Sequence, residues 1–479
     1  MPTQLGRRLA DTSIGSDEAV DVMREAVETS PVLSQIAPGL FSGSPPSKEE
    51  IVRRITQHTE LSEGTASHRA AMILRWREMI AGAPVRRSLR PAEPGGMWRR
   101  VEIRNYRSIE HADVKLAPFT LVVGPNGSGK SNFADALVFA RDIASDASTA
   151  IEKRGGISGV RRWRPSKPTD VAIDLRAAAK ESALETNYVR HMFKIHSGAQ
   201  GSYSFVEERI EITTSGRPMV ELRRIGDTLQ KLNVSKVPSV QETASAMVVA
   251  AQLEGFERTS ALRNVRRYRL SPDEMRQPQL SSERARLEEN GANIAVAIRD
   301  VRKAGRLDDL IRAMRKIVPG LKDVEVQQVG RYLNLRFKQE QEEKLVADFN
   351  ATEMSEGALR ALGIVVATLQ MMPDELLIIE EPEVSIHVGA AEVLFDVLKE
   401  ASELGAVLVT THSADLLDAA RDEEILVCDY RDGITTIGPL AAAQRKIVRD
   451  GLFSVAELLR SEPLRIDVAQ RRSRGKQSD

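Results

Sequence analysis

The sequence has little of several features that would each point to a particular class of protein. Only one of its 479 residues is cysteine, Cys428, which excludes an internal disulfide and a cysteine-based metal cluster. Its seven histidines are scattered, without the paired spacing of a zinc site. No apolar run approaches the roughly 20 residues of a membrane span, and the N-terminus lacks the apolar core of a secretory signal. We therefore expect a cytoplasmic protein with no membrane partner.

A net charge is also lacking, since 68 Lys and Arg residues balance 68 Asp and Glu residues. No global field draws such a chain to nucleic acid or to a membrane, so any affinity of that kind must come from local patches. Aromatic residues make up 4% of the chain and hydrophobic residues 42%, which is typical of an ordinary globular protein somewhat poor in aromatics. The length is sufficient for two or three domains.

The pattern of the chain changes near Trp98. Before it come a segment rich in Ser, Pro and Gly and two helix-like stretches; after it, apolar strand patterns alternate with helical ones, which suggests parallel strands with crossover helices. Short connections between TDVAIDLRA, YVRHMFKI and PMVELRRI predict antiparallel strands there. Residues 240–318 are predicted to be mainly helical, and residues 413–421 to form a helix. The predicted segments are 1–46 (flexible), 47–97 (helical module and linker), 98–239 (first α/β lobe), 240–350 (inserted helical and β lobe), 351–440 (second α/β lobe) and 441–479 (C-terminal helices and basic tail).

A complete phosphate-binding motif, G-x-x-x-x-G-K-[ST], lies in LVVGPNGSGKSN between a predicted strand and a predicted helix. Gly127 and Gly129 would let backbone N–H groups converge on a phosphate without an intervening Cβ. Lys130 would bridge the β- and γ-phosphates, and Ser131 would hold Mg²⁺. A chance Gly-rich turn is the alternative, but it need not reproduce both the spacing and the strand–helix context. The predicted nucleotide-binding residues are Gly124, Pro125, Asn126, Gly127, Ser128, Gly129, Lys130, Ser131 and Asn132.

Two adjacent acids end the apolar strand in ELLIIEEPEVSIH. Ionised carboxylates in such a place are costly unless a cation or a proton transfer uses them. Beside a nucleotide, Glu380 would help to hold hydrated Mg²⁺, and Glu381 would orient and activate the attacking water. An acidic turn before Pro382, without catalytic use, is the alternative reading.

Two further stretches complete an ordered set of motifs. MSEGALRAL begins with Ser-x-Gly at a predicted helix start, and LVTTHSADLL is an apolar strand that ends in a histidine. The order of phosphate loop, Ser-x-Gly helix, strand–Glu–Glu and strand–His resembles the ABC-type ATPases, over residues 98–440. GPNGSGKSN, VEIRNYRSIEHADV and IEEPEVSIH resemble most the SMC/RecF/OLD branch. RYRLSPDEMRQPQ and LEENGANIA are similar to a segment of bacterial RecF-like AAA-type ATPases, without a coiled coil or TOPRIM domain.

The resemblance implies an α/β P-loop fold of ABC-ATPase type, with a parallel core sheet flanked by helices, an antiparallel β subdomain, an inserted helical lobe and a small N-terminal helical module. It implies that Ser355 and Gly357 form a signature that caps the γ-phosphate bound to another protomer, and that His412 contacts the γ-phosphate. An ordinary helix cap and a structural histidine are the alternatives. Where most relatives have Asp and Pro, this chain has Glu380 and Val388. The implied catalytic residues are Lys130, Glu381 and His412, and the cofactors are ATP and Mg²⁺, the latter held by Ser131 and Glu380.

Basic residues gather in three places that could contact a phosphate backbone. Solvated faces, intramolecular ion pairs or a docking pair of helices are the alternatives. The three sets are Arg161, Arg162, Arg164 and Lys167 around Trp163; Arg263, Arg266, Arg267 and Arg269 around Tyr268; and His68, Arg69, Arg75 and Arg77 in a candidate helix-turn-helix.

By its resemblance, the chain is expected to be an ATP-hydrolysing switch that dimerises around ATP, or forms a higher homo-oligomer. Hydrolysis would be coupled to DNA or to an effector, a nuclease or toxin encoded nearby, in anti-phage defence or DNA repair. One alternative is a transporter's ATP-binding subunit, although 225 residues separate Lys130 from Ser355 and transporters seldom insert so much. Another is an OLD-like nuclease whose nuclease activity resides in a separate partner, because only 67 residues follow His412.

Overall fold

The computed structural model describes most of the chain from Met97 onward. The described residues are 97–162, 169–180, 186–214, 217–226, 228–232, 240–250, 260–283, 286–341, 345–414, 416–417, 420–450 and 452–467. They belong to one compact unit, residues 92–479. The flexible segment predicted for residues 1–46, nearly all of the helical module at 47–97 and the basic tail lie outside the described residues.

Within the described residues, thirteen strands form one large mixed sheet. In order across the sheet they run β8-β7-β6-β5-β4-β1-β2-β17-β16-β3-β15-β14-β9. These strands are β1 (Met97–Tyr106), β2 (Ile109–Lys115), β3 (Phe119–Val123), β4 (Val171–Lys180), β5 (Thr186–Ser197), β6 (Tyr203–Thr214), β7 (Arg217–Ile225), β8 (Thr228–Leu232), β9 (Val265–Tyr268), β14 (Leu376–Glu380), β15 (Ala406–Thr411), β16 (Ile425–Arg431) and β17 (Ile434–Pro439).

The sheet has a parallel part and an antiparallel part. The parallel part is β9-β14-β15-β3-β16, in which each strand pairs in parallel with its neighbour. The antiparallel part is the meander of β4 to β8, joined to β1 and β2. Every residue of β3, β14 and β15 is buried, as expected for strands that are covered on both faces.

The remaining elements are twelve described α-helices, three short 3₁₀ helices and a smaller sheet. In that sheet β12 (Tyr332–Glu340) pairs antiparallel with β10 (Gln279–Leu280), β11 (Leu321–Val329) and β13 (Val346–Asn350). The 3₁₀ helices are Ala199–Gly201, Ala351–Glu353 and Asp422–Glu424. The α-helices are α1 (Lys130–Ile143), α2 (Ala147–Glu152), α3 (Ile157–Val160), α4 (Met247–Ala250), α5 (Ser260–Arg263), α6 (Pro272–Arg276), α7 (Ile294–Lys303), α8 (Leu307–Ile317), α9 (Glu356–Leu369), α10 (Val388–Ala401), α11 (Ala442–Arg449) and α12 (Val455–Ser461).

Two hydrophobic cores lie on opposite faces of the parallel strands. Because side chains of a strand point alternately to its two faces, Leu376 and Ile378 of β14 enter one core, and Leu377 and Ile379 enter the other. The first core contains the apolar face of α1, and the second contains those of α9 and α10. Both faces are therefore covered, and the C-terminal ends of β3, β14 and β15 emerge at one edge between them.

The α/β fold class is confirmed, with a parallel core sheet flanked by helices and an antiparallel β part. The predicted strands at TDVAIDLRA, YVRHMFKI and PMVELRRI are present and antiparallel, but an additional strand, β6, lies between the last two. The prediction of a mainly helical stretch at 240–318 was wrong for Val265–Tyr268, which forms β9 in the large sheet. The helix predicted for 413–421 is not present in its described residues, where Leu416 and Leu417 are buried from turns.

Candidate functional site

The phosphate-binding motif forms the loop between β3 and α1. Gly127 and Gly129 adopt φ angles of 77° and 104°, a left-handed region that favours glycine. Lys130 begins α1, and its buried ammonium donates to the carbonyls of Gly124 at 2.9 Å and Pro125 at 3.1 Å. The loop is therefore closed on itself around the lysine, with the N-terminus of a 14-residue helix directly behind it.

The floor beneath this loop is formed by β16 and β17. Thr435 donates from its Oγ1 to the carbonyl of Ser128 at 2.9 Å. A Cβ at Gly129 would come within 2.2 Å of Thr435 Oγ1, and one at Gly124 within 2.1 Å of the Cys428 carbonyl. Gly124 is required by the close approach of another backbone segment, and Gly129 by the close approach of the Thr435 side chain. Burial raises the pKa of the Cys428 thiol to about 11, so this cysteine is a packing residue.

Ser131 and Glu380 meet at the ends of α1 and β14. Ser131 Oγ donates to Glu380 Oε2 at 2.7 Å, and Glu380 Oε1 is buried without a hydrogen-bond partner among the described residues. Burial raises the pKa of Glu380, and the hydroxyl of Ser131 and the charges of Arg269 and Arg267 oppose that rise. A hydroxyl and a carboxylate with an unused oxygen are oxygen ligands of the kind Mg²⁺ takes together with substrate phosphates. These two residues fit a nucleotide-bound Mg²⁺.

Glu381 lies between the lysine of the loop and a histidine. Its Oε1 is 3.7 Å from Lys130 Nζ and 3.8 Å from His412 Nδ1. Glu381 adopts a φ angle of 47°, a left-handed conformation unusual for a residue with a side chain, and its N–H donates to the carbonyl of Thr410. The backbone therefore holds this carboxylate at the edge where β14 and β15 end.

His412 is positioned by a third acid, Glu383. Glu383 Oε1 accepts from Thr411 Oγ1 at 2.6 Å and from the backbone N–H of His412 at 3.2 Å, and it lies 3.4 Å from His412 Nδ1. Because Glu383 fixes both the backbone and the ring of the histidine, the imidazole stays beside Glu381. Sequence reasoning missed Glu383, although its place two residues after the paired acids was a signal.

Ser355 and Gly357 lie in a different groove. Ser355 is the exposed N-cap of α9, and its Oγ accepts from the Ala358 N–H at 3.2 Å. Gly357 packs so tightly that an added Cβ would lie 2.3 Å from the Ser385 carbonyl. The groove, of about 420 Å³, is also lined by His387, the N-cap of α10. Among the described residues, no hydrogen bond of Ser355 reaches the phosphate loop.

Asp135, on α1, is the centre of a buried cluster that supports the site. Its carboxylate accepts from Tyr106 at 2.5 Å and pairs with Arg107 at 3.0 Å, Arg154 at 3.2 Å and Arg267 at 3.2 Å. Burial opposes ionisation of Asp135, but the hydrogen bonds of Tyr106 and Arg154 and the nearby arginine charges prevail and lower its pKa. The cluster ties α1 to β1, to the segment after α2 and to β9.

The structure thus brings part of the predicted site together. Lys130, Ser131, Glu380, Glu381 and His412 form one connected cluster, whereas Ser355 and Gly357 form the separate groove. The catalytic and binding roles assigned to all of these residues remain predictions. No described group of three His, Cys, Asp or Glu side chains could hold a metal by itself.

One predicted basic patch has another explanation in the structure. Tyr268 is 3% exposed and cannot stack on a base. Arg267 pairs with Asp135 and Glu289, and Arg266 pairs with Glu375. In the other patch Arg162 pairs with Glu110, while residues 163–168 lie outside the described residues, as does the candidate helix-turn-helix.

Two family models match this chain. Residues 97–196 match "AAA ATPase domain", and residues 253–418 match "AAA domain, putative AbiEii toxin, Type IV TA system". The first match contains the phosphate loop, and the second contains β9, Ser355, Glu380, Glu381 and His412. None of the described helices has the length and apolarity needed to cross a bilayer.

Similar curated proteins match over short stretches. The chromosome partition protein Smc of Methanocaldococcus jannaschii is 27% identical over 159 residues, 29% of this chain and 13% of that protein. The OLD nuclease of Thermus scotoductus is 42% identical over 41 residues, 9% of this chain and 8% of that protein. The matches therefore span a small part of either relative. Among solved structures, an SmcHead bound to the C-winged helix domain of ScpA has a TM-score of 0.47 at 14% identity, covering 73% of this chain and 99% of that one.

Proposed function

Because this chain carries an AAA-type ATPase domain related to the SMC and OLD families, we propose that it is a Mg²⁺-dependent ATPase that works as a switch between two protomers. The observation that supports the chemistry best is the 2.7 Å hydrogen bond between Ser131 and Glu380, beside a lysine and a second acid. Ser131 and Glu380 are 249 positions apart in the chain. They meet because β3, which leads into the phosphate loop and α1, and β14 end at the same edge of the sheet.

Each residue of the cluster has a distinct task in this proposal. Lys130 and the N–H groups of the loop bind the β- and γ-phosphates, while Ser131 and Glu380 would hold Mg²⁺, which offsets the phosphate charge. Glu381 accepts a proton from the attacking water. His412, held by Glu383, donates a hydrogen bond towards the γ-phosphate. Lys130 donates two hydrogen bonds to the loop carbonyls, which leaves the third N–H of its ammonium for a phosphate oxygen.

A second protomer completes the site in this proposal. Ser355 presents an exposed side chain with a hydroxyl and the positive end of a 14-residue helix, both of which suit a phosphate. Its hydrogen bonds within the chain stay on its own helix. We therefore assign the groove at Ser355 to the nucleotide of a neighbouring copy, in a symmetric dimer in which each copy supplies the same two surfaces.

We further propose that the switch acts on DNA or on an effector protein in genome defence or DNA repair. The support is the kind of protein that the relatives' names describe, namely chromosome partition, a nuclease and a toxin of a toxin–antitoxin system. Co-purification of the full chain with the products of neighbouring genes tests the effector. Stimulation of ATP turnover by DNA at low salt tests the nucleic acid, because phosphate contacts weaken as salt rises.

The decisive test of the enzymatic proposal is the Glu381→Gln variant. We expect the parent chain to hydrolyse ATP. The variant should bind ATP but hydrolyse it at least about 100-fold more slowly, because the substitution removes the general base and keeps the size of the side chain. Glu400, an exposed glutamate near the C-terminal end of α10, provides the matched control. The Glu400→Gln variant should keep the parent rate. Parental turnover by Glu381→Gln would contradict the assignment of the base.

A further inference from the structure

The edge strand β9 brings two arginines to the proposed metal ligand, and the inference drawn from them rests on the proposed function. β9 pairs in parallel with β14 in the register Arg267 to Ile378 and Tyr268 to Ile379. The next residues along the two strands, Arg269 and Glu380, therefore lie side by side where the strands end. Their distance agrees: Arg269 Nε is 3.7 Å from Glu380 Oε2.

The arginines in β9 and directly after it lie on alternate faces of the sheet. Arg267 and Arg269 both approach Glu380, with Arg267 Nε 3.8 Å from its Oε1. Arg266 points to the other face, where it pairs with Glu375 at 3.4 Å. A strand places residues i and i+2 on one face, so this arrangement follows from the pleat.

The two arginines near Glu380 differ in how firmly they are held. The Arg267 side chain is 14% exposed and is bound by Asp135 and Glu289, at 3.2 and 2.7 Å. The Arg269 side chain is 60% exposed, and its ion pair with Glu380 is the one salt bridge found for it among the described residues. Its backbone is fixed, since its N–H donates to the Glu289 carbonyl at 2.9 Å. The backbone of Arg269 is thus fixed, whereas its side chain can change partner.

We propose that Arg269 is a phosphate-binding residue that exchanges Glu380 for the nucleotide when Mg²⁺ binds. A divalent cation and a guanidinium within about 4 Å of one carboxylate repel each other, and Mg²⁺ binds carboxylate oxygen more strongly than a guanidinium does. Losing Glu380 leaves the guanidinium at the edge where the phosphate loop ends, and a guanidinium suits phosphate oxygens. Arg267 stays on Asp135 and does not take part in the exchange.

The test measures equilibrium binding of ATP, with and without Mg²⁺, to full-length chain carrying Glu381→Gln so that ATP is not consumed. Adding Arg269→Gln should weaken Mg·ATP binding by about tenfold or more, the loss expected for one charge-assisted hydrogen bond. In EDTA the same substitution should change ATP binding by less than about twofold, because Arg269 then remains with Glu380. Arg269→Lys, which keeps the charge without the planar fork, should fall between the two.

Arg266→Gln is the matched control, since it removes the same group from the other face of the same strand. It should leave Mg·ATP binding unchanged. If Arg269→Gln binds Mg·ATP as tightly as its parent or more tightly, Arg269 only competes with the metal and the exchange is refuted. An equal loss with and without Mg²⁺ also refutes it. If the Glu381→Gln parent itself fails to bind Mg·ATP, the proposed function fails instead, so the two failures are distinguishable.

Discussion

The phosphate-loop cluster and the groove at Ser355 differ in how complete they are within one chain. In the cluster, the side chains come from the ends of β14 and β15 and from α1. Ser131 donates to Glu380, and Glu381 Oε1 lies 3.8 Å from His412 Nδ1. In the groove, the exposed cap Ser355 makes its hydrogen bond to its own helix. The side chains of the first region thus contact one another, whereas Ser355 of the second region is exposed.

In the proposed function, binding a nucleotide and hydrolysing it therefore have separate structural requirements. One chain would provide the loop, the metal ligands and the base, and a second copy would provide the groove. The two regions are nevertheless linked, because Gly357 of the groove packs on Ser385, four residues after Glu381. Half-buried Arg360, on the same helix as Gly357, has its pKa lowered by burial in spite of the nearby Glu381 carboxylate. A movement of the groove would therefore change the position of Glu381, the proposed general base.

The largest expected effect is that of Lys130→Ala in the first region. The variant should lose ATP binding by about 100-fold or more, and turnover with it, because the buried ammonium is the charge aimed at the β- and γ-phosphates. Lys153→Ala, an exposed lysine outside the cluster, is the control and should bind normally. Calorimetric titration with Mg·ATP measures both. Normal ATP binding by Lys130→Ala would mean that the nucleotide sits elsewhere.

A smaller and more selective effect is expected from Ser355→Arg in the second region. The groove would be filled at its mouth, so the neighbouring copy could not dock its nucleotide there. We expect ATP binding within about twofold of the parent and turnover reduced by roughly tenfold or more, since the change touches the trans contact alone. Steady-state ATP turnover beside an equilibrium binding curve separates the two quantities. Equal losses in binding and turnover would erase the distinction between the regions.

The smallest effect on turnover, but a clear one on stability, is expected from Asp135→Asn. Removing one partner of a buried ion cluster should lower the free energy of unfolding by about 3 kcal/mol, because several arginines lose their counter-charge. The lowered pKa of Asp135 means that its contribution is present above the unfolded pKa and is lost as pH falls through the folded one. Urea unfolding at neutral and acid pH measures this. Asp396→Asn, an exposed residue of α10, should be neutral at both.

The predictable parts of the molecule are those in which local pattern and chemistry agree. The loop around Lys130 and the paired acids after β14 follow from short contiguous motifs, and Ser355 caps its helix as its position indicated. Buried strands such as β3 and β15 are short, predominantly apolar runs, and the strands predicted there are confirmed.

The parts that escaped prediction are those set by contacts across the sheet. β9 reads VRRY, and its two central arginines hide a strand that is stabilised by pairing with β14. Those arginines suggested a nucleic-acid surface, whereas in the structure they form ion pairs with carboxylates that are distant in the sequence. Thr435 supports the loop from more than 300 residues away, with no local signal. The helix predicted for residues 413–421 is absent from its described residues, where Leu416 and Leu417 enter the core from turns.

The claim that a neighbouring copy completes each site is tested most directly by cross-linking between two differently tagged chains. One chain carries Asn126→Cys on the phosphate loop and the other Ser355→Cys, both with Glu381→Gln to retain ATP and with buried Cys428→Ser to remove the native thiol. With a short bismaleimide, we predict a species containing both tags that forms with Mg·ATP and not with AMP. Cross-linking that ignores ATP, or none between the two chains while both bind ATP, would contradict the account.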